Sequence, residues 1–145
     1  MSQSSGKQKK FEYIEHPADI AIRVYGRNLQ ELFENAAMGL YDILKPQKKI
    51  KEPQYQREKT FYSDSKEGLL VCFLNELLFI ALKEHLIFYK FLFNIDCSEK
   101  ENKLVCMTTG HRSEGVEREV KAVTYHRMEI KKVRNFLQTE IIFDI

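Results

Sequence analysis

A chain of 145 residues fits one domain and buries roughly 70% of its unfolded surface, enough for a core that needs no staples. Its 23 Lys and Arg against 21 Asp and Glu leave a net charge of +2, so no overall field draws it to DNA, RNA or an anionic membrane. Cys72, Cys97 and Cys106 form no Cys-x-x-Cys pair and sit in apolar runs, which reads as buried reduced thiols in a cytoplasmic protein and argues against disulfide, zinc or thiol catalysis.

Residues 1–10 are rich in Ser, Gln and Lys and lack an apolar run, so a disordered tail is expected there, neither a signal peptide nor a packed element. Residues 11–145 are expected to form a single domain. From 11 to 25 the pattern is strand-like, with Ile20, Ile22 and Val24 on one face and Ala21, Arg23 and Tyr25 on the other. Glu15-His16-Pro17-Ala18-Asp19 interrupts this segment, and Gly26 ends it. Asn28 with Glu31 reads as a capping box. Leu29, Leu32, Phe33, Ala36, Leu40 and Leu44 follow at helical spacing until Pro46 stops them.

The Lys- and Gln-rich stretch 47–57 is a solvated loop, and a short strand is expected around 59–62. Asp64 with Glu67 predicts a second capping box, and Leu70, Phe73, Leu74, Leu77, Leu78 and Ala81 a wide apolar stripe running to Glu84 or His85. Asn75 and Glu76 break the apolar run 69–82, which is also shorter than the about 20 residues a bilayer requires, so it is a core helix. Beyond it the period changes to two, with strands expected at 88–97, 103–110, 120–132 and 137–145. The fold class this implies is α+β: a mostly antiparallel sheet of five to six strands with two helices packed on one face.

The candidate chemistry lies near the two ends. Asp144 stands between Phe143 and Ile145 in a strand that reads as buried, where an unpaired carboxylate carries a desolvation cost of several kcal/mol that a cation offsets. Asp19, Asp144 and the terminal carboxylate of Ile145 supply oxygens of the kind calcium or magnesium takes. Taken singly, each Asp is more simply a turn or edge residue. His16 and His126 are hydrogen-bonded strand residues before they are ligands or bases, and Lys121 is an edge lysine before it is a counter-charge. His85 suits a helix C-terminus, and His111 precedes a turn. No Gly-rich phosphate loop, His-Glu-x-x-His motif or nucleophile elbow is present.

Taken together, several of these segments resemble the archease family, accessory proteins of RtcB-type RNA ligases. The family typically opens on Asp-His-Thr-Ala-Asp, here Glu15 to Asp19, followed by an alternating strand, the Gly26 turn and a helix like Leu29-Gln30-Glu31-Leu32-Phe33-Glu34-Asn35-Ala36-Ala37. Leu74-Asn75-Glu76-Leu77-Leu78 resembles its second helix, Lys121-Ala122-Val123-Thr124-Tyr125-His126 a late strand, and Asp144-Ile145 its terminus. Glu15 and Pro17 depart from the usual Asp and Thr, and the segment between His111 and Val120 is short.

The resemblance implies metal ligation by Asp19, Asp144 and the Ile145 carboxylate, with Glu15, His16, Lys121 and His126 as supporting or partner-contacting groups. It implies a non-enzymatic activator that promotes guanylylation and multiple turnover of a ligase using GTP and manganese, touching tRNA through that ligase during splicing. Two other readings stand beside it: a small metal-dependent phosphohydrolase or nuclease, and a general chaperone-like binding module.

Overall fold

The computed structural model describes residues 9–98, 100–125 and 128–145. The elements run β1 (Phe11–Ile14), β2 (Ile20–Gly26), α1 (Leu29–Leu44), β3 (Tyr55–Ser63), α2 (Lys66–Glu84), β4 (Leu86–Cys97), β5 (Asn102–Arg112), β6 (Ala122–Thr124), β7 (Lys131–Val133) and β8 (Phe136–Asp144). The α+β class and the antiparallel pairing are as expected. Among the described residues, however, the strands number eight and divide between two sheets, one ordered β1-β2-β8-β6 with β7 also paired to β8, the other ordered β3-β5-β4. Correspondingly, the helices do not cover one face of one sheet. Helix α1 packs on β1, β2 and β8 and also on β4, while α2 packs on β3, β4 and β5 and also on β6. Periodicity reveals which face of a strand is buried but not its partner, and β2 pairs with β8 across more than a hundred residues.

Helix α1 starts as its sequence dictates. The Asn28 side chain accepts the Glu31 N–H at 2.8 Å, and the Glu31 carboxylate reaches back to the Arg27 N–H at 3.0 Å. It ends where Lys45 turns left-handed at φ 52°, just before Pro46. Its buried stripe of Leu32, Phe33, Ala36, Leu40, Ile43 and Leu44 includes one polar position: Asn35, 5% exposed, donates to the Tyr25 carbonyl at 2.7 Å and pins α1 to the end of β2.

The second helix corrects the expected cap. Ser65, not Asp64, is the N-cap, accepting the Gly68 N–H at 2.9 Å. Glu67 closes no capping box; it accepts the Ile130 N–H at 2.8 Å. The three-residue spacing cannot tell Asp64 and Glu67 from Ser65 and Gly68, and the tertiary contact to residue 130 decides. His85 closes the helix in the left-handed region at φ 58°. No helix among the described residues is long and apolar enough to cross a membrane.

The segment 120–132 is not one strand. Strands β6 and β7 pair with opposite ends of β8, and between them the buried Met128 joins the core, pulling the chain out of the sheet. Of the cysteines only Cys106, facing the core from β5, is buried; Cys72 and Cys97 are exposed, on the outer side of α2 and at the end of β4. Residues 1–8, most of the expected tail, and His126 lie outside the described residues.

Candidate functional site

Strands β1 and β2 form a hairpin whose last pair is Ile14 with Ala21, and residues 15–19 make the connection between them. Pro17 followed by Ala18 at φ 65° is the residue order of a type II turn, whose third position takes positive φ and favours Gly. An Ala held there costs roughly 1 kcal/mol, so the loop is pinned in an unfavourable backbone state. His16 Nδ1 lies 3.2 Å from the Pro17 carbonyl and 3.6 Å from Asp19 Oδ2. Since a carbonyl only accepts, Nδ1 carries the hydrogen in that contact, which leaves Nε2 as the acceptor nitrogen for a proton or a cation. A shallow concavity of about 660 Å³ is lined by Tyr13, Ile14, Glu15, His16, Pro17 and Asp19. Tyr13 also donates to Asp42 Oδ2 at 2.5 Å, tying the loop's base to α1.

Strand β8 brings the other end of the chain to this loop. Its ladder with β2 ends at Ile20 opposite Phe143, so Asp19, just before β2, and Asp144, the last residue of β8, each adjoin that final pair. On the far side Asp144 pairs with Ala122 of β6, and its carbonyl accepts the Lys121 N–H at 2.7 Å. Opposed residues of an antiparallel pair share a sheet face. Phe143 and Ile141 point to the core, so Asp144 belongs to the outer face, where Arg23 is engaged by Glu140 at 2.6 Å. That hydrogen bond is the foremost cause raising the Arg23 pKa. Among the described residues no Lys or Arg forms an ion pair with Asp19 or Asp144.

Two expectations need correction here. Asp144 is exposed, and Ile145 is 41% exposed, because the strand runs past the core at its last two residues; burial therefore imposes no desolvation cost on this carboxylate. Lys121 meets Asp144 only through its backbone. Its side chain lines a groove with Asn75, Leu78, Phe79, Leu82 and Lys83 of α2, because neighbouring strand residues point to opposite faces.

The residue that sequence reasoning missed as a positioning group is Asn75. Its Oδ1 accepts the Val123 N–H at 2.9 Å and its Nδ2 donates to the Val123 carbonyl at 3.1 Å, holding β6, and with it the strand beside Asp144, against α2. The available signal was a polar amide interrupting an apolar helical stripe.

As a donor set, the arrangement is open. Among the described residues no three His, Cys, Asp or Glu side chains gather as a closed metal site. What the described residues offer is the carboxylates of Asp19 and Asp144, which adjoin the last β2–β8 pair, and the imidazole of His16 beside Asp19. Oxygen donors of this kind suit a hard cation that keeps much of its shell as water or takes it from a partner.

An α+β domain of two antiparallel sheets sharing two helices defines the class of fold. The chain belongs to the archease protein family, whose model matches residues 11–145. It is 38% identical over 141 residues to protein archease of Sulfurisphaera tokodaii, covering 94% of this chain and 99% of that one. To protein archease of Methanosarcina mazei it is 34% identical over 142 residues, covering 94% and 97%. The solution structure of Methanobacterium thermoautotrophicum protein 1598 superposes with a TM-score of 0.77 at 33% identity, covering 95% of this chain and all of that one. A Thermotoga maritima crystal structure, described as an archease and possible chaperone, shares the fold at a TM-score of 0.59 and 23% identity, covering 99% of this chain and all of that one.

Proposed function

We propose that this protein binds calcium or magnesium between Asp19 and Asp144, with the carboxyl group of Ile145, and activates an RtcB-type RNA ligase in tRNA splicing without catalysing a reaction itself. The observation that carries the reading is the register of β2 against β8. Its last pair, Ile20 with Phe143, is adjoined by Asp19 on one strand and Asp144 on the other, at the end of a sheet whose Arg23 is already engaged by Glu140. Like charges brought near one another repel, and a divalent cation between them reverses the sign of that contribution. The metal supplies a positive charge at the surface. This chain's residues supply its placement: β8 between β2 and β6 orients Asp144, the left-handed turn at Ala18 orients Asp19, and His16 hydrogen-bonds within the same turn. Glu15 lines the concavity beside them, while Lys121, just before β6, and His126 are the candidate contacts to the partner.

The test is a reconstitution. The protein alone, given GTP or RNA with and without divalent metal, should turn nothing over. Added to an RtcB-type ligase with GTP, manganese and broken tRNA, it should raise both ligase guanylylation and the number of joining cycles. Hydrolysis of nucleotide or RNA by the protein alone would favour a metal-dependent phosphohydrolase or nuclease instead. Protection of unrelated unfolded proteins without any effect on the ligase would favour a chaperone-like module.

A further inference from the structure

Beneath α2 lies a cavity of about 260 Å³, opening between β3 and the helix, for which neither the carboxylate site nor the ligase reading has a use. Its origin is legible in the register. On the inner face of the three-stranded sheet, β4 contributes Phe91 and Phe93, which pack on Phe73 of α2 at 5.9 and 5.4 Å between ring centroids. Next to them β5 contributes only Cys106 and Thr108. The β3 positions opposite those two are Lys59 and Arg57, which line the space with flexible chains rather than filling it with rings, their heads reaching across to Glu76 at 3.3 Å and to Glu84 at 2.6 Å. The space left is floored by Cys106 and Thr108, walled by Phe61, Phe73 and Phe88 and roofed by Leu77 and Ile80. Protein interiors ordinarily hold few voids larger than a water.

The interior chemistry selects the occupant. The Thr108 hydroxyl already donates to the Arg57 carbonyl at 3.2 Å. Burial pushes the Cys106 thiol up to about 12, so it stays neutral. The remaining lining is aromatic and aliphatic apart from Arg57, Glu58, Lys59 and Glu76 on the β3 and α2 sides, where Lys59 pairs with Glu76 and Arg57 with Glu84. A cavity of roughly 150 Å³ lined by apolar side chains is known to take benzene, and this one is larger. Exposed ion pairs hold weakly and are screened by salt, so the rim admits entry. We infer that the space between α2 and the β3-β5-β4 sheet is a binding site for a small uncharged aromatic molecule of one or two fused rings.

Indole is the probe, because the chain contains no Trp and indole emission therefore reports its own surroundings. Titrating the full-length protein into indole should shift that emission to shorter wavelength, and saturating indole should raise the Tm. Cys106→Leu from the floor and Leu77→Phe from the roof each fill the space; whichever variant keeps a cooperative unfolding transition should bind indole at least tenfold more weakly. A third readout needs no filling. In a Cys72→Ser, Cys97→Ser background, saturating indole should slow modification of Cys106 by methyl methanethiosulfonate at least tenfold. No emission shift and no rise in Tm up to the solubility of indole would overturn the inference. So would a folded filled variant that binds like the wild type, or an unchanged rate of Cys106 modification.

Discussion

Asn75 of α2 and Val123 of β6 exchange two hydrogen bonds, 2.9 Å from the Val123 N–H to Oδ1 and 3.1 Å from Nδ2 to the Val123 carbonyl. A three-residue strand is thereby clamped to a buried helix by one amide, and that strand is the one that flanks Asp144. Replacing Asn75 with Leu removes both bonds and leaves two backbone groups without partners, at an expected cost of about 2 to 3 kcal/mol. Asn75→Asp keeps the acceptor and should cost less. Urea unfolding gives the stability, and hydrogen exchange at the Val123 amide should accelerate in the Leu variant and much less in the Asp variant, which keeps that amide's acceptor. A Leu variant as stable as the wild type would show that the clamp is not holding the strand.

Thr139 sits opposite Val24 with 2% exposure, and its hydroxyl has no hydrogen-bond partner among the described residues. A hydroxyl buried in this way costs roughly 1 to 3 kcal/mol, and Val replaces it at nearly the same shape. Thr139→Val should raise stability by about 1 kcal/mol, read as a higher urea midpoint at unchanged slope. A loss of stability would mean that the hydroxyl is satisfied in solution.

Ala18 at φ 65° predicts the opposite of the usual helix and strand result, because here Gly is the better residue. Ala18→Gly should gain up to about 1 kcal/mol from relief of the left-handed backbone, offset in part by the freedom Gly adds to the unfolded chain. The same change loosens the turn that presents Asp19, so cation affinity should fall while the Tm rises. Movement of both in the same direction would separate the turn from the site.

The acid limb of the stability curve follows from two arginine pairs. Hydrogen bonds from Arg57 are the main cause holding the Glu84 carboxyl below its usual value near 4.5, and those from Arg112 do the same for Glu52. A lowered pKa in the folded state means the unfolded chain takes up protons first. The contribution is therefore present above about pH 4.5 and is lost as the pH falls through the folded-state values. Urea midpoints measured down to about pH 3 should decline more gently for Glu84→Gln than for the wild type, and high salt should narrow the difference. Parallel curves would show that the pair contributes nothing.

How much of this was legible in the sequence varied with the kind of information. Leu29, Leu32, Phe33, Ala36 and Leu40 announce α1 because helical periodicity and the Asn28 cap are local. The division of the strands into two sheets was not legible, since Ile22 facing Ile141 and Lys59 facing Cys106 are choices of partner that no local pattern encodes. The segment 120–132 misled for a related reason: it alternates like one strand, but Met128 is drawn into the core. At the candidate site the residue types were readable and their surroundings were not. Asp144 follows a buried Phe143 in sequence, which suggested burial, yet it stands exposed at the end of β8; Lys121 precedes β6, the strand beside it, but turns its side chain toward α2.

In the proposed function, Asp19 and Asp144 hold a cation through which the protein activates a ligase. The most direct measurement is the number of tRNA joining events per ligase molecule with GTP and manganese, comparing wild-type protein with Asp19→Asn and Asp144→Asn variants at equal folded concentration. Calcium and magnesium titrations by calorimetry on the same samples accompany it. Each variant should keep a cooperative fold, lose most of the cation affinity because affinity at such sites follows ligand charge, and leave the ligase at its unassisted turnover. Folded Asp144→Asn protein that supports as many joining events as the wild type would contradict the proposed function.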